Sequence, residues 1–253
     1  MAPIIKALRR QRNTFATTVV LTGQHRLMLD QMIEVFQIEP DFDLNIMTDG
    51  QTLSDITCRI LVGLEKIITS VRPDLLLVQG DTTSTFIGAL AGYYHRVKVG
   101  HIEAGLRTFD KYQPYPEEIN RKLTSSLADL HFAPTAEAKN NLLQEDIPEQ
   151  NIFITGNTIV DVVLSTIDES YHFTEPILNE LILQNRKFVV ITAHRRENWG
   201  EPFHNVAHAV LEIAELYPDL EFVFPVHLNP NVRKAFNHLF DKHPRIHLLP
   251  TLD

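Results

Sequence analysis

The chain has 253 residues, of which 44% are hydrophobic, so it can bury one large α/β core or two smaller ones, and this composition argues against wholesale disorder. Its formal net charge of −9 argues against nucleic-acid binding through a global basic field. The single cysteine, Cys58, excludes an intramolecular disulfide and favours a reducing compartment. No apolar run approaches the length of a membrane span, and the first residues contain no signal-peptide core. We therefore expect a cytoplasmic protein that enters no membrane.

The first part of the chain alternates between helical and strand patterns. Apolar spacing predicts a helix over residues 3–10, a strand over 17–21 and a helix over 28–36. A turn-rich acidic segment then leads into a long helix with Leu53, Ile56, Ile60 and Leu64 on one face, ending before Arg72-Pro73. Cys58 lies inside this helical pattern, and we expect its side chain in the core.

A strand–turn–helix–strand unit follows, and it carries two carboxylates at corresponding positions. The apolar run 75–78 predicts a strand covered on both faces, and the turn that begins with Gly80-Asp81 opens a helix over 85–94. Residues 97–102 predict the next strand, which is followed by Glu103. Since ligands bind outside the carboxyl ends of strands in an open α/β sheet, Asp81 and Glu103 are expected at one ligand-facing edge. A purely structural alternative is that Asp81 only caps the helix.

The next segment places two prolines directly before a helix. Glu117 and Glu118 open that helix, where carboxylates interact favourably with the positive end of the helix dipole. This dipole interaction explains both glutamates without any function. The functional alternative is that the rigid prolines at 114 and 116 aim Glu117 into a cleft.

Further strands are expected at 130–132, 151–154, 187–192, 221–226 and 246–249, with helices at 136–143, 159–168 and 203–216. Polar sequence follows residue 168, so we predict two domains, 1–168 and 169–253. His194, Arg195 and Arg196 come directly after the strand that starts the second domain. The twelve histidines are dispersed, with no spacing typical of a metal site.

Six motifs occur in an order that resembles the UDP-N-acetylglucosamine 2-epimerases, most closely the non-hydrolysing bacterial type: GDTTST, GHIEAGLRT, PYPEEINR, ITGNTIVD, TAHRREN and FPVHLNP. The resemblance implies a GT-B-like α/β fold of two Rossmann-like, doubly wound domains with a cleft between them. It also implies a homodimer. Members of this family start earlier and continue further, so we expect a chain truncated at both ends. Such a chain would lack part of the family's grip on the diphosphate and would be a poor catalyst.

The reaction implied by the resemblance interconverts UDP-N-acetylglucosamine and UDP-N-acetylmannosamine by elimination and re-addition of UDP. Such a route needs an acid, a base and cations for the leaving diphosphate, with no metal or redox cofactor. Motif matching assigns the residues in three groups. The catalytic candidates are Asp81, Glu103, Glu117 and His194. The substrate-binding candidates are Arg107, Asn157, Arg195 and Arg196. A second, activating UDP-N-acetylglucosamine site would involve Gln24, His25, Gln51, Glu117, Arg195 and His227.

Three alternatives stay open at this point. A hydrolysing relative would release UDP and free N-acetylmannosamine. A catalytically weak fragment would only bind the UDP-sugar. A glycosyltransferase would share the fold, and this alternative rests on analogy alone.

Overall fold

The structure, a computed structural model, describes residues 1–23, 26–48, 50–193, 201–226, 236, 240, 243–250 and 252, with only the backbone of residues 26–28. The chain divides into two compact units, Met1–Ile167 and Asp168–Asp253.

The first unit alternates helices with parallel strands. In chain order its elements are α1 (Ala2–Arg10), β1 (Val20–Leu21), α2 (Arg26–Phe36), β2 (Phe42–Asp43), α3 (Leu53–Val71), β3 (Leu75–Gln79), α4 (Thr83–Tyr94), β4 (Lys98–Ile102), α5 (Glu117–Leu127), β5 (Leu130–Ala133), α6 (Ala136–Gln144), β6 (Ile152–Ile154) and α7 (Thr158–Thr166). Strands β3, β4, β5 and β6 pair in that order, and β1 pairs with β2 in a separate sheet. Every one of these pairings is parallel.

Side-chain caps set the starts of the two helices that flank β3. At the start of α3, Thr52 and Asp55 form a capping box, each side chain bonding the backbone N–H of the other. The same helix ends at Arg72, which adopts a left-handed conformation directly before a proline. Helix α4 starts at Thr82, whose hydroxyl accepts the Thr85 N–H. The chain therefore leaves β3 through a short turn, with Asp81 immediately before the cap.

The core of the first unit lies where α3 and α4 cover the sheet. Ile60 on α3 and Ile87 on α4 are almost fully buried in one apolar cluster, and Val78 and Val99 from β3 and β4 belong to the adjoining one. These contacts fix the register in which Gln79 at the end of β3 lies opposite Ile102 at the end of β4. Both strands consequently end at the same edge of the sheet.

The second unit contains α8 (Pro176–Leu183), β7 (Lys187–Val190), α9 (Glu201–Leu216), β8 (Leu220–Pro225) and β9 (Ile246–Leu249). Its parallel strands pair in the order β7, β8, β9. Phe203, Phe222 and Phe224 are buried in its main apolar cluster, and Leu178 and Leu181 of α8 pack against the sheet in a smaller one.

Several local expectations need correction. Strand β1 covers only Val20–Leu21, and its partner β2 lies in a segment that we had assigned to turns. Helix α8 was missed because its short apolar stretch follows a proline that reads as part of a loop. Cys58 is exposed rather than buried, because the buried face of α3 follows Ile56, Ile60 and Leu64, and position 58 points away from it.

Among the described residues, no helix is long and apolar enough to cross a membrane. In the same part of the chain, no three His, Cys, Asp or Glu side chains are arranged to hold a metal ion.

Among the glycines that the structure describes, Gly105 is the one at which a side chain would fit least well. Its φ is +88°, and a Cβ there would collide with the Ala138 carbonyl, whose carbon would lie only 2.8 Å away. Left-handed backbone costs a non-glycine residue about 1–2 kcal/mol, and the collision with backbone atoms adds to this cost. We expect Gly105→Ala to lower the free energy of unfolding by at least about 3 kcal/mol, or about 6–12 °C in Tm.

Gly50 provides the matched control for this measurement. Its φ is +70°, but a Cβ there would meet nothing within 4 Å. Gly50→Ala therefore carries only the backbone cost and should lower Tm by about 2–8 °C. Equal shifts for the two variants in thermal unfolding would contradict the steric argument.

Candidate active site

The polar residues that follow β3 and β4 line one small cavity at the shared carboxyl edge of these strands. Its volume is about 40 Å³, and its lining residues are Gly80, Asp81, Glu103, Leu106 and Arg121. The structure thus brings together Asp81 and Glu103, the two carboxylates that the sequence placed at one edge. It adds a guanidinium that the sequence analysis did not single out.

Arg121 on α5 holds the Asp81 side chain. One Nη of Arg121 lies 2.5 Å from Asp81 Oδ2, and its other Nη lies 3.4 Å from Glu118 Oε2. Asn120 reinforces this arrangement, because its side-chain amide donates to the Asp81 carbonyl at 3.0 Å. Two consecutive residues of α5 therefore attach the helix to the turn after β3.

Glu118 is almost completely buried and connects α5 to the loop after β4. Its two carboxylate oxygens accept the backbone N–H groups of Thr108 and Phe109, each at 3.1 Å. A buried carboxylate requires such partners, because an unpaired charge in the interior is costly. Glu118 and Arg121 were detectable in the sequence, since the motif PYPEEINR spaces them one helical turn apart.

Glu103 leaves β4 with an unusual backbone conformation. Its φ is +66°, in the left-handed region, and its carboxylate accepts from Asn157 Nδ2 at 3.1 Å and from Gln79 Nε2 at 3.5 Å. Left-handed backbone in a residue other than glycine is uncommon and concentrates at functional sites. The carboxylate lies close to Gly80. A Cβ at residue 80 would be 3.9 Å from Glu103 Oε2, an ordinary van der Waals distance.

Glu117 occupies the first position of α5 and is partly buried. It does not line the cavity, but it lies one helical turn before Arg121 and therefore on the same face of α5. Its assignment as an acid or base remains a prediction that rests on the motif.

Arg107 is placed away from the cavity. Its side chain is fully buried, and its Nε and one Nη donate to the two carboxylate oxygens of Glu145 at 2.9 and 2.6 Å. Further donations go to Ser125 Oγ and the Leu106 carbonyl. The hydrogen bonds from Arg107 hold the pKa of the Glu145 carboxyl below its ordinary value. This geometry describes a structural ion pair, and it gives the predicted substrate-binding role of Arg107 no support.

The other predicted residues divide into two groups. Asn157 faces Glu103, and Gln51 accepts the Thr48 N–H through its side-chain carbonyl in the turn before α3. The rest lie outside the described residues: Gln24, His25, His194, Arg195, Arg196 and His227. Their predicted roles remain predictions.

A buried histidine lies beneath the turn that carries Asp81. His101 of β4 is completely buried, and its Nε2 donates to the Gly80 carbonyl at 2.7 Å. Its Nδ1 is a buried polar atom without a hydrogen-bond partner among the described residues. Burial disfavours the charged imidazolium and lowers the pKa of His101 to about 4. The imidazole is therefore neutral near pH 7 and serves as a donor that supports the turn.

A family model described as UDP-N-acetylglucosamine 2-epimerase matches residues 6–253. The chain belongs to this epimerase family. The family predicted from the six motifs is thereby confirmed.

Relatives with this family name align with the chain over nearly its full length. The UDP-N-acetylglucosamine 2-epimerase of Bacillus subtilis is 47% identical over 253 residues, which are 100% of this chain and 65% of that protein. A crystal structure of the Neisseria meningitidis epimerase bound to UDP-GlcNAc is 45% identical, with a TM-score of 0.86 over 99% of this chain and 68% of that one. The S. aureus MnaA–UDP structure is 45% identical, with a TM-score of 0.89 over 100% of this chain and 66% of that one. The chain thus spans about two thirds of the length of these epimerases.

The similarity to these solved structures also tests the predicted fold class. The two parallel α/β units and the similarity to solved epimerases confirm the predicted GT-B-like class with Rossmann-like units. Among the family motifs, GDTTST and GHIEAGLRT contribute the cavity residues Asp81 and Glu103, and PYPEEINR contributes Arg121.

The buried His101 generates a pH-dependent prediction. The unfolded chain binds a proton at His101 as pH falls through about 6.5, whereas the folded state does not do so until about pH 4. Stability from this residue is therefore complete above pH 6.5 and decreases as pH falls toward 4. At pH 5 the loss is about 2 kcal/mol.

We expect His101→Gln, whose amide can still donate to the Gly80 carbonyl, to remove this contribution. Urea unfolding at pH 7, 6 and 5 should show a smaller loss of stability for the variant than for the wild type. His95→Gln, which changes a histidine at the end of α4, is the control and should follow the wild type. Parallel curves for His101→Gln and the wild type would contradict this assignment.

Proposed function

We propose that this chain is a UDP-N-acetylglucosamine 2-epimerase that interconverts UDP-N-acetylglucosamine and UDP-N-acetylmannosamine by eliminating and re-adding UDP. The observation that carries the proposal is the pair of carboxylates, Asp81 and Glu103, that face one cavity beside Arg121. The relatives that are named for this activity, and the two named as bound to UDP-GlcNAc or UDP, support the choice of substrate.

Two carboxylates at one edge meet the chemical requirement of this reaction. The C2 proton of the sugar has no adjoining carbonyl in the ring, so its removal depends on departure of the diphosphate, and the elimination gives a 2-acetamidoglucal to which UDP is re-added. Inversion then requires a proton to be returned to the opposite face, which calls for two positioned acid–base groups. Asp81 and Glu103 approach the cavity from neighbouring strands and are the candidates for these two groups.

The size of the cavity restricts how the sugar can be arranged. A volume of about 40 Å³ is close to that of one or two water molecules and is too small for a hexose. Asp81 and Glu103 would therefore contact one edge of the sugar, and the remaining contacts would come from other residues. We assign the diphosphate to His194, Arg195 and Arg196, since cations must stabilise the charge that develops on the leaving group. Glu117, from the adjoining helix, is the third candidate acid or base.

The remaining proposals concern the setting of the reaction. The single cysteine supports a location in the cytoplasm. We further propose that the protein acts as a homodimer, that a second UDP-N-acetylglucosamine site regulates it, and that its product feeds bacterial surface polysaccharide synthesis. The reaction as written requires neither a metal nor a redox cofactor.

Product analysis in deuterated water tests the proposed reaction. The chain should convert UDP-N-acetylglucosamine slowly to UDP-N-acetylmannosamine with deuterium at C2, since the proton returned to C2 comes from a group that exchanges with solvent. Free N-acetylmannosamine and UDP as the products would favour the hydrolysing alternative. Calorimetric binding of UDP-N-acetylglucosamine without deuterium incorporation would favour a protein that only binds the sugar nucleotide.

Substitution of the acid–base candidates tests the assigned residues. Asp81→Asn and Glu117→Gln should each lower the rate of deuterium incorporation by about two to four orders of magnitude, with a much smaller change in substrate affinity. Glu137→Gln changes an exposed glutamate in the first turn of α6 and is the matched control. A variant that retains the wild-type rate would exclude that residue from the chemistry.

A further inference from the structure

The two carboxylates of the cavity are held in chemically different ways. Asp81 forms an ion pair with Arg121, whereas Glu103 is held by the side-chain amides of Asn157 and Gln79. Each amide donates to a different oxygen, Asn157 to Oε1 and Gln79 to Oε2. Two amide donors therefore hydrogen-bond the Glu103 carboxylate, and the positively charged amino group of Met1 interacts with it electrostatically.

Asn157 uses both of its side-chain polar atoms within the protein. Its Oδ1 accepts the Ile159 N–H at 3.0 Å and caps α7, while its Nδ2 donates to Glu103. The cap determines which way the amide group faces, so the donor is directed at Glu103 by the same interaction that starts the helix. This geometry differs from the predicted substrate-binding role of Asn157.

Gln79 is oriented by its own set of contacts. Its Nε2 donates to Thr158 Oγ1 at 3.0 Å as well as to Glu103 Oε2 at 3.5 Å, and its Oε1 accepts from the amino group of Met1. As the last residue of β3, it lies opposite Ile102, directly before Glu103. The parallel register of β3 and β4 thus places this amide beside the carboxylate.

The backbone conformation of Glu103 also favours one orientation of its carboxylate. Glu103 has a φ of +66°, in the left-handed region that residues other than glycine rarely adopt. A strained backbone persists only where its surroundings over-determine it, and the two amides provide such surroundings.

We propose that Asn157 and Gln79 are positioning residues that hold the Glu103 carboxylate in the orientation required for proton transfer to the sugar. This inference rests on the proposed function and adds an assignment that the motifs do not make: Asn157 acts through Glu103 and not by binding substrate. Because proton transfer depends steeply on geometry, misplacement of the carboxylate by about 1 Å can slow the reaction by about a hundredfold. Loss of a positioning residue should consequently lower kcat and leave KM nearly unchanged.

Asn157→Ser is the informative substitution. Serine retains the cap on α7, since its hydroxyl is among the preferred acceptors at this position, but it is too short to reach Glu103. We expect kcat to fall about 10–100-fold, with KM within about threefold of the wild-type value. Gln79→Met, which keeps the side-chain length and removes the donor, should show a smaller effect in the same direction, because its contact with Glu103 is longer.

Combining Asn157→Ser with Glu103→Gln distinguishes a positioning role of Asn157 from its other roles. In Glu103→Gln, whose residual rate is measured by prolonged deuterium incorporation, adding Asn157→Ser should cause no further fall in kcat. A further fall, or an increase in KM of tenfold or more, would overturn the proposal in favour of direct substrate binding. Thr135→Ala removes the cap of α6 without touching the cavity and should leave kcat unchanged. A fall in kcat for Thr135→Ala would mean that the effect of Asn157→Ser arises from lost stability alone.

Thermal unfolding tests the contact independently of activity. The Tm shifts of Asn157→Ser and Glu103→Ala should fail to add in the double variant by about 2–6 °C, because both substitutions remove the same hydrogen bond. Strictly additive shifts would overturn the proposed interaction even in an active enzyme. Absence of deuterium incorporation by the wild type, together with non-additive shifts, would instead reject the proposed function and the catalytic role of the contact, while retaining the contact itself.

Discussion

The geometry of the candidate site depends on the position of Arg121 between two carboxylates. Asp81 and Glu118 belong to different segments, the turn after β3 and the first turn of α5, and both are within ion-pair distance of the guanidinium. Glu118 is buried and Asp81 is partly buried, so without the cation their mutual repulsion and desolvation would destabilise the packing of α5 on the turn. The planar guanidinium presents several donors in a rigid arrangement, which lysine could not reproduce.

This interaction links the chemistry of the site to the construction of the first unit. Glu118 also accepts two backbone N–H groups from the loop after β4, so one helix turn connects the segments that follow both strands. Glu103 precedes that loop, and it lines the same cavity as Asp81. The two candidate acid–base groups are consequently attached to the sheet edge by hydrogen bonds that also stabilise the fold. The Arg107–Glu145 ion pair likewise stabilises the first unit, at a position further from the cavity.

The positions of some residues could be predicted from the sequence, and the positions of others could not. Asp81 and Glu103 could be placed together because each follows a clearly apolar strand, and parallel neighbours end at the same edge. Arg107 follows Glu103 closely in the motif, yet its guanidinium turns into the interior toward Glu145, which is 38 residues further along the chain. Arg121 and Gln79 were overlooked because an arginine in a helix and a glutamine at a strand end are individually unremarkable. Cys58 was assigned to the core only because it lies within a helix, but the predicted apolar face is the buried one and position 58 lies on the other side of the helix.

The sequence by itself determined the alternation of helices and parallel strands, the family, and the two carboxylates that reach the cavity, because these features follow from local apolar periodicity and from motifs. The tertiary structure alone decided which side chains those carboxylates contact. Asp81 meets Arg121 from 40 residues away, and Glu103 meets Asn157 from 54 residues away. Contacts over such separations depend on strand register and on how each helix packs against the sheet. Neither is encoded in the residues near the motif, so the partners of a catalytic group become visible only once the chain is folded.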